Sequence, residues 1–337
     1  MNIYSQQAYN RRMTVVVMTV FLAFFAFIGW GTDYYVLRPF AQMDRPTRQM
    51  QADTDDDASA PQKPFVPWAT IIAVAIALIS VGISLKGGTS IVLNSAHARK
   101  ADPADEKERQ FINVVEEVSI AAGFAAPPEA YVIPDPDPNA FAAGIHQKGS
   151  VIAATRGLLE KLNREELQGV VAHEMSHIRN SDVMLMTVVA VLAGAIALLS
   201  DFAARAMRGS RSGSGRNKGA GALIMLILWL ICIILAPLVT RLLAMWISRN
   251  REYLADAAGA ELIRNPGALA SALEKIKMAS EPTRSITNGV AHMCIADPKG
   301  EKWEQKENFL GDLFATHPPI EKRIVTLKMM AYTQGSH

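Results

Sequence analysis

Cysteine is almost missing from this chain: there are two in 337 residues, and one of them, Cys232, sits inside an apolar run. That excludes a disulfide framework and a cysteine-built metal site, so any metal must be held by histidines and carboxylates. An excess of either charge is missing too. With 34 basic against 32 acidic residues the formal net charge is +2, which gives no electrostatic case for nucleic acid as the main partner. Charge of any sign is scarce, at 20% of residues, while half the chain is hydrophobic and the mean hydropathy is +0.13. Such a composition is too apolar for disorder and more apolar than an ordinary soluble enzyme, so a membrane class is indicated before any motif is read. The length leaves room for two domains, or for one domain with additional segments.

Four uncharged apolar stretches occur in two pairs. Met13 to Gly31 (19 residues) and Phe65 to Leu85 (21 residues) form the first pair, and Val183 to Ser200 (18 residues) and Gly219 to Thr240 (22 residues) the second. Each is near the roughly 20 residues that cross a bilayer as a helix, although the third only just reaches that length and could be a buried core helix. A signal peptide competes for the first, since Arg11 and Arg12 precede it, but its apolar part is long for that role and no cleavage site follows. Thr32 to Pro64, with Asp53, Asp55, Asp56 and Asp57, reads as an acidic non-cytoplasmic loop. Arg11 and Arg12 on one side, and Lys86, Arg99 and Lys100 on the other, place the N-terminus and the region after the second span in the cytoplasm. The Gly/Ser-rich loop from Asp201 to Lys218 is basic, yet simple alternation would put it outside. Either it is an exception, or the last two stretches form a hairpin that does not fully cross. The expected organisation is therefore a transmembrane pair in 1–100, the first part of a domain in 101–182, a second apolar pair in 183–240 and the second part of that domain in 241–337, and chemistry is to be sought in this two-part domain.

The two-part domain opens with a helical pattern from Asp105 (Phe111, Ile112, Val115, Val118, Ala122) that Gly123 stops. Three short apolar runs, Tyr131 to Ile133, Ala140 to Ile145 and Val151 to Thr155, predict a small sheet. Asn163 followed by Glu166 is a capping box, and it opens a helix that carries His173-Glu-Met-Ser-His177. On a helix, residues four apart share a face, so the two imidazoles can bind one metal ion with Glu174 beside them as the group that handles protons. Zinc suits this set, with a third protein ligand and an open position for water. Leu167, Val171, Glu174 and Ile178 share one stripe, and a carboxylate on a buried stripe needs a partner. A third histidine in the extended motif is absent, because Asn180 and Val183 stand where Gly and His would be. Glu252 and Asp256, four apart on an evident helix, can supply the third ligand and a hydrogen-bond acceptor for a ligating imidazole. Taken alone they could equally be a helix surface paired with Arg249 and Arg251.

Taken together, these segments resemble the membrane zinc metallopeptidases of the HtpX and Ste24 type, family M48. The resemblance is carried by Asn139-Ala-Phe-Ala-Ala-Gly144, Thr155-Arg-Gly-Leu-Leu159, His173 to His177 with Arg179, Asn180 and Asp182, Ser248 to Asp256, and Thr316-His-Pro-Pro319 with Arg323-Ile324. It implies His173, His177 and Glu252 as ligands of one zinc ion, Glu174 as general base, Asp256 behind a ligating imidazole and His317 near the reacting carbonyl. It also implies that Asn139, Ala140, Phe141 and Ala142 form an edge strand for substrate, which agrees with the ability of an extended peptide to add to a free sheet edge. A plain helix-start role for the His-Pro-Pro run stands beside the catalytic one.

The expected fold is mainly α: a polytopic membrane protein with a zincin-like α+β peptidase domain, its small sheet beside the motif helix. The expected activity is that of a zinc metalloendopeptidase in a bacterial inner membrane. Its peptidase domain would face the cytoplasm and hydrolyse membrane or misfolded polypeptides in quality control, with the lipid bilayer as its other partner. The alternatives are an intramembrane protease of the site-2 type, whose motif should lie within an apolar span, and a catalytically silent membrane scaffold.

Overall fold

A computed structural model describes residues 3–38, 65–209, 251–279, 293–296 and 318–334. The fold is mostly helical with one small mixed sheet. Within the described residues the chain divides into two compact units: 3–15, 83–194, 251–279, 293–296 and 318–334 make the first, and 16–38, 65–82 and 195–209 the second.

The first two apolar stretches are helices, longer than their uncharged parts. Helix α1 is Ile3–Thr32 and continues as a wider π-turn over Asp33–Leu37, and α2 is Trp68–Ser95. Both are long and apolar enough to cross a membrane. Side chains such as Ile72 (54% exposed) and Ile79 (61%) point outward from α2, an apolar surface of the kind that water disfavours. In the second unit, Asp33 receives hydrogen bonds from the backbone N–H groups of Ala69 and Thr70 at the start of α2 and from the Thr70 hydroxyl. The acidic loop expected between these helices lies outside the described residues for most of its length.

After β1 (Arg99–Lys100), helix α3 (Glu106–Ala121) starts where expected. The Asp105 side chain accepts the Lys107 and Glu108 N–H groups, and Gly123 takes a left-handed φ of 73° just past the end. Strands β2 (Glu129–Ile133), β3 (Ala140–Ala143) and β4 (Val151–Thr155) follow, in the order β1-β2-β4-β3. β2 and β4 run parallel, while β3 is antiparallel to β4. The period of two along β3 serves two cores. Ala140 and Ala142 join the cluster containing Phe111, Val171 and Leu273, whereas Phe141 and Ala143 join the one containing Val92, Met186 and Ala190.

A short helix, α4 (Arg156–Lys161), leads to the motif helix α5 (Arg164–Arg179), and α6 spans Asp182–Gly209. One expectation is corrected here, and one alternative gains support. Residues 201–209, read as the start of a loop, continue α6, because Ala203, Ala204, Arg205, Ala206, Met207 and Arg208 are mostly strong helix formers. The early part of the third apolar stretch is packed inside protein, with Val183, Leu185, Val188 and Val189 all buried. The fourth stretch, Gly219 to Thr240, lies outside the described residues. Residues 251–263 are helical (α7), followed by α8 (Pro266–Lys277) and α9 (Ile320–Gln334). Helix α5 is central, packed against α3, α8, β3 and β4.

Candidate metal centre

Local sequence fixes the start of α5. Asn163 caps it by accepting the Glu166 N–H, and the Glu166 carboxylate returns the bond to the Asn163 N–H at 2.8 Å while also receiving Ser271 and Lys275, each at 2.7 Å, from α8. The expected single apolar stripe understates the burial. From Leu167 to Ile178 only Gln168 escapes full burial, since helices and sheet surround α5.

Two glycines permit that crowding. A Cβ on Gly169 would lie 2.8 Å from the Leu269 N, and one on Gly259 would lie 2.9 Å from the His173 N and 3.0 Å from the Ala172 carbonyl carbon. Gly259 therefore lets α7 press its backbone against α5 at the first motif histidine, and one or two turns earlier α7 presents Asp256 and Glu252.

Glu252 and Asp256 are buried, at 1% and 3% exposure, so the reading of this segment as a salt-bridged surface does not hold. The Nε2 atoms of His173 and His177 are 3.2 Å apart, and each is 3.6 Å from an oxygen of Glu252. A tetrahedral zinc ion about 2.1 Å from each donor would separate the donors by about 3.4 Å. The 3.6 Å distances are to different oxygens of Glu252, Oε2 for His173 and Oε1 for His177. One donor atom from each side chain lies within 4.8 Å of the others, a spacing that could hold such an ion, and among the described residues they are the one group of three potential ligands brought together in this way.

Behind each imidazole stands a carboxylate. His173 Nδ1 lies 2.9 Å from Asp256 Oδ1, and His177 Nδ1 lies 3.1 Å from Asp182 Oδ2. The Asp182 carboxylate is hydrogen-bonded to the His177 ring and Asp256 lies beside the His173 ring, although His173 Nδ1 makes no well-aligned hydrogen bond, and each Nε2 is turned toward Glu252. Arg323 of α9, buried at 1% exposure, grips Asp256 through Nε at 2.8 Å and Nη2 at 2.7 Å, and its Nη1 reaches Glu252 Oε2 at 3.2 Å. Both carboxylate oxygens of Glu174 are buried without a hydrogen-bond partner. That arrangement is costly unless something else completes the site, and a cation with its water would do so.

The electrostatics favour a cation as well. Burial works against the Asp256 carboxylate, but the Arg323 charge and hydrogen bonds, with His173, hold its pKa at about 2. Burial also disfavours the His177 imidazolium, yet the Asp182 hydrogen bond and the charges of Glu252, Asp182 and Glu174 push its pKa up to about 9. For Glu174 burial dominates and raises the pKa, against the opposing pull of the two histidines.

β3 lies at the end of the sheet order. The Thr155 N–H donates to the Asn139 carbonyl, so by alternation the main-chain groups of Ala140 and Ala142 face away from β4. That outer edge is partly occupied. Phe141 bridges to Cys294, the Ile295 N–H donates to the Ala140 carbonyl at 2.9 Å, and the Ala140 N–H is taken by its neighbour's Asn139 Oδ1 at 3.0 Å. His317 lies outside the described residues. Pro318 and Pro319 lead into α9, and the Pro319 carbonyl accepts the Lys322 N–H, as a helix start requires.

The Peptidase family M48 model matches residues 105–331, and both motif histidines and Glu252 fall inside that match. The chain belongs to peptidase family M48. Among M48 relatives, a "Protease HtpX homolog" of Caldanaerobacter subterraneus is 47% identical over 264 residues, covering 77% of this chain and 84% of that protein. Another of the same name, from Limosilactobacillus reuteri, is 37% identical over 332 residues and covers 97% of this chain and 100% of its own. The chain is thus an HtpX-like M48 metallopeptidase. A solved structure described as S. mikatae Ste24p aligns with a TM-score of 0.45 at 19% identity, over 76% of this chain and 57% of that one.

The histidine pair, Glu174, Glu252 and Asp256 meet as the sequence places them. Asp182, Arg323 and Gly259 were not assigned roles from sequence. Asp182 had a signal, a carboxylate five residues past the second motif histidine. Arg323 stood in a quoted motif without a partner to give it meaning.

Proposed function

We propose that this M48 chain is a polytopic, membrane-embedded zinc endopeptidase whose peptidase unit faces the cytoplasm and cleaves membrane or misfolded proteins in quality control. The observation that carries the reading is the meeting of His173, His177 and Glu252 beside the buried, unpartnered Glu174. His173, His177 and Glu252 would hold the zinc ion, which would supply Lewis acidity to the attacking water and the scissile carbonyl. The chain's own groups do the rest. Glu174 takes a proton from the attacking water at a carboxylate oxygen and returns it to the leaving amine nitrogen. Asp256 and Asp182 keep the imidazoles oriented, and Arg323 keeps Asp256 ionised.

The substrate backbone is proposed to lie along β3, at Asn139 to Ala142, as an added antiparallel strand. Because the Ile295 N–H now occupies the Ala140 carbonyl, a peptide would replace that bond with one of the same kind as the 293–296 segment yields. His317, on the chain leading into α9, is proposed to act on the reacting carbonyl. The test is Glu174→Gln. It should retain stoichiometric zinc and lose at least about 10²-fold in cleavage of a denatured protein. Wild-type turnover by that variant would remove Glu174 from the mechanism.

A further inference from the structure

Helix α5 ends at Arg179, and the next turn is tight: Asn180 closes the helix, Ser181 takes a left-handed φ of 59°, and Asp182 opens α6. The last carbonyls of a helix lack intrahelical donors. Here they are met from the other end of the sequence. Gln7 Nε2 on α1 donates to the Arg179 carbonyl at 2.8 Å, and Asn10 Nδ2, one turn further along α1, donates to the Asn180 carbonyl at 2.9 Å. Asn10 Nδ2 also donates to Asp182 Oδ1, while the other carboxylate oxygen of Asp182 faces His177 Nδ1 at 3.1 Å. Both partners of Asn10 can only accept, which fixes the amide orientation. Asn10 is fully buried, its backbone carbonyl accepts the Thr14 hydroxyl at 2.9 Å, and its side-chain Oδ1 has no hydrogen-bond partner among the described residues.

On the opposite imidazole, Arg323 from the C-terminal helix plays the corresponding part by holding Asp256 against His173. Two histidines are thus backed by two aspartates, and each aspartate is backed by a residue from a different end of the chain. Arg251, also buried, adds its Nε at 3.5 Å from Asp182 Oδ1. That is too long for a good hydrogen bond, so Asn10 makes the closer polar contact with that oxygen.

We infer that Asn10 is a positioning residue of the metal centre, acting through Asp182 on His177, so that the cytoplasmic end of the first apolar helix is a structural part of the zinc site. This rests on the zinc metallopeptidase reading and adds a determinant of metal affinity far from the motif. Groups that orient ligating histidines typically contribute 10- to 100-fold in affinity.

The experiment uses the full-length protein in detergent and measures zinc affinity by competition with a chelating indicator, for wild type, Asn10→Leu, Asp182→Asn and the double variant. Asn10→Leu, close to isosteric, is expected to bind zinc about 10-fold or more weakly, and Asp182→Asn 10- to 100-fold. In the Asp182→Asn background the further loss from Asn10→Leu should be less than about 3-fold, because the two act in series. A purely structural Asn10 would lower the melting temperature of the zinc-free protein and leave zinc affinity, or the additivity of the two changes, intact. Either result overturns the inference and leaves the metallopeptidase reading standing. Should Asn10→Leu fail to accumulate, Asn10→Ser, whose hydroxyl cannot reach both acceptors, is read by the same criteria. A wild-type chain that takes up no zinc would overturn both readings.

Discussion

In the proposed metal centre each imidazole is backed by a carboxylate, and each carboxylate by something further out. This layering separates the roles of chemically similar residues. Glu252→Ala removes a ligand, and zinc content should fall well below one per chain, as elemental analysis would record. Asp256→Asn removes only the charge behind His173 and strands the buried Arg323 guanidinium. It should retain zinc with about 10- to 100-fold weaker affinity and also lower the melting temperature, since a buried ion pair is left half-made. Equal metal loss in the two variants would make Asp256 a ligand rather than a support. The sequence shows the histidine pair and Glu174 directly, because four-residue spacing on a helix is a local property. It narrows the next layer to Glu252 and Asp256 and stops there. The pairing of Arg323 with Asp256 joins residues 67 positions apart, and no periodicity in one chain encodes such a meeting.

At the level of whole elements, the decisive event is the close approach of α7 to α5. Gly259 makes it possible, and its neighbours at the contact are backbone atoms that cannot rotate aside. Gly259→Ala should push α7 outward, destabilise the fold by about 1–3 kcal/mol and weaken zinc binding by carrying Glu252 away. Thermal unfolding and chelator competition read the two effects, and an alanine variant with wild-type values in both would deny the contact its importance. On the sheet, Ala142→Pro removes an outward N–H from β3 and should impair peptide cleavage with zinc retained. Unchanged cleavage would count against strand addition there. Ala140→Pro is less informative, since that N–H is already bound to Asn139 Oδ1. Elements announced by caps were legible in the sequence: Asp105 opens α3 and Asn163 opens α5. The two-residue β1 was not, because it exists only as a partner of β2. The all-round burial of α5 was also hidden, since a stripe read along one helix says nothing of how many neighbours surround it.

For the whole molecule, the proposed metal site imposes a constraint on topology. His177 and Glu252 meet at one point, so the chain between them must cross a membrane an even number of times or not at all. Full crossing would place the basic segment beyond Gly209 in the non-cytoplasmic space, against the positive-inside tendency. Single cysteines at Ser210 and Ser214, in a background lacking Cys232 and Cys294, should label in intact cells with an impermeant thiol reagent. Labelling only after permeabilisation, in an inserted and active protein, would favour a shallow hairpin. The central claim, that the three converging side chains form a zinc centre for peptide hydrolysis, has a more direct test: the metal content and proteolysis of the purified full-length protein before chelation, after it, and after zinc is restored. One zinc per chain, activity lost with the metal and recovered with it, is the predicted result. Full cleavage of a denatured protein by a preparation free of zinc and of any substituting divalent ion would contradict it.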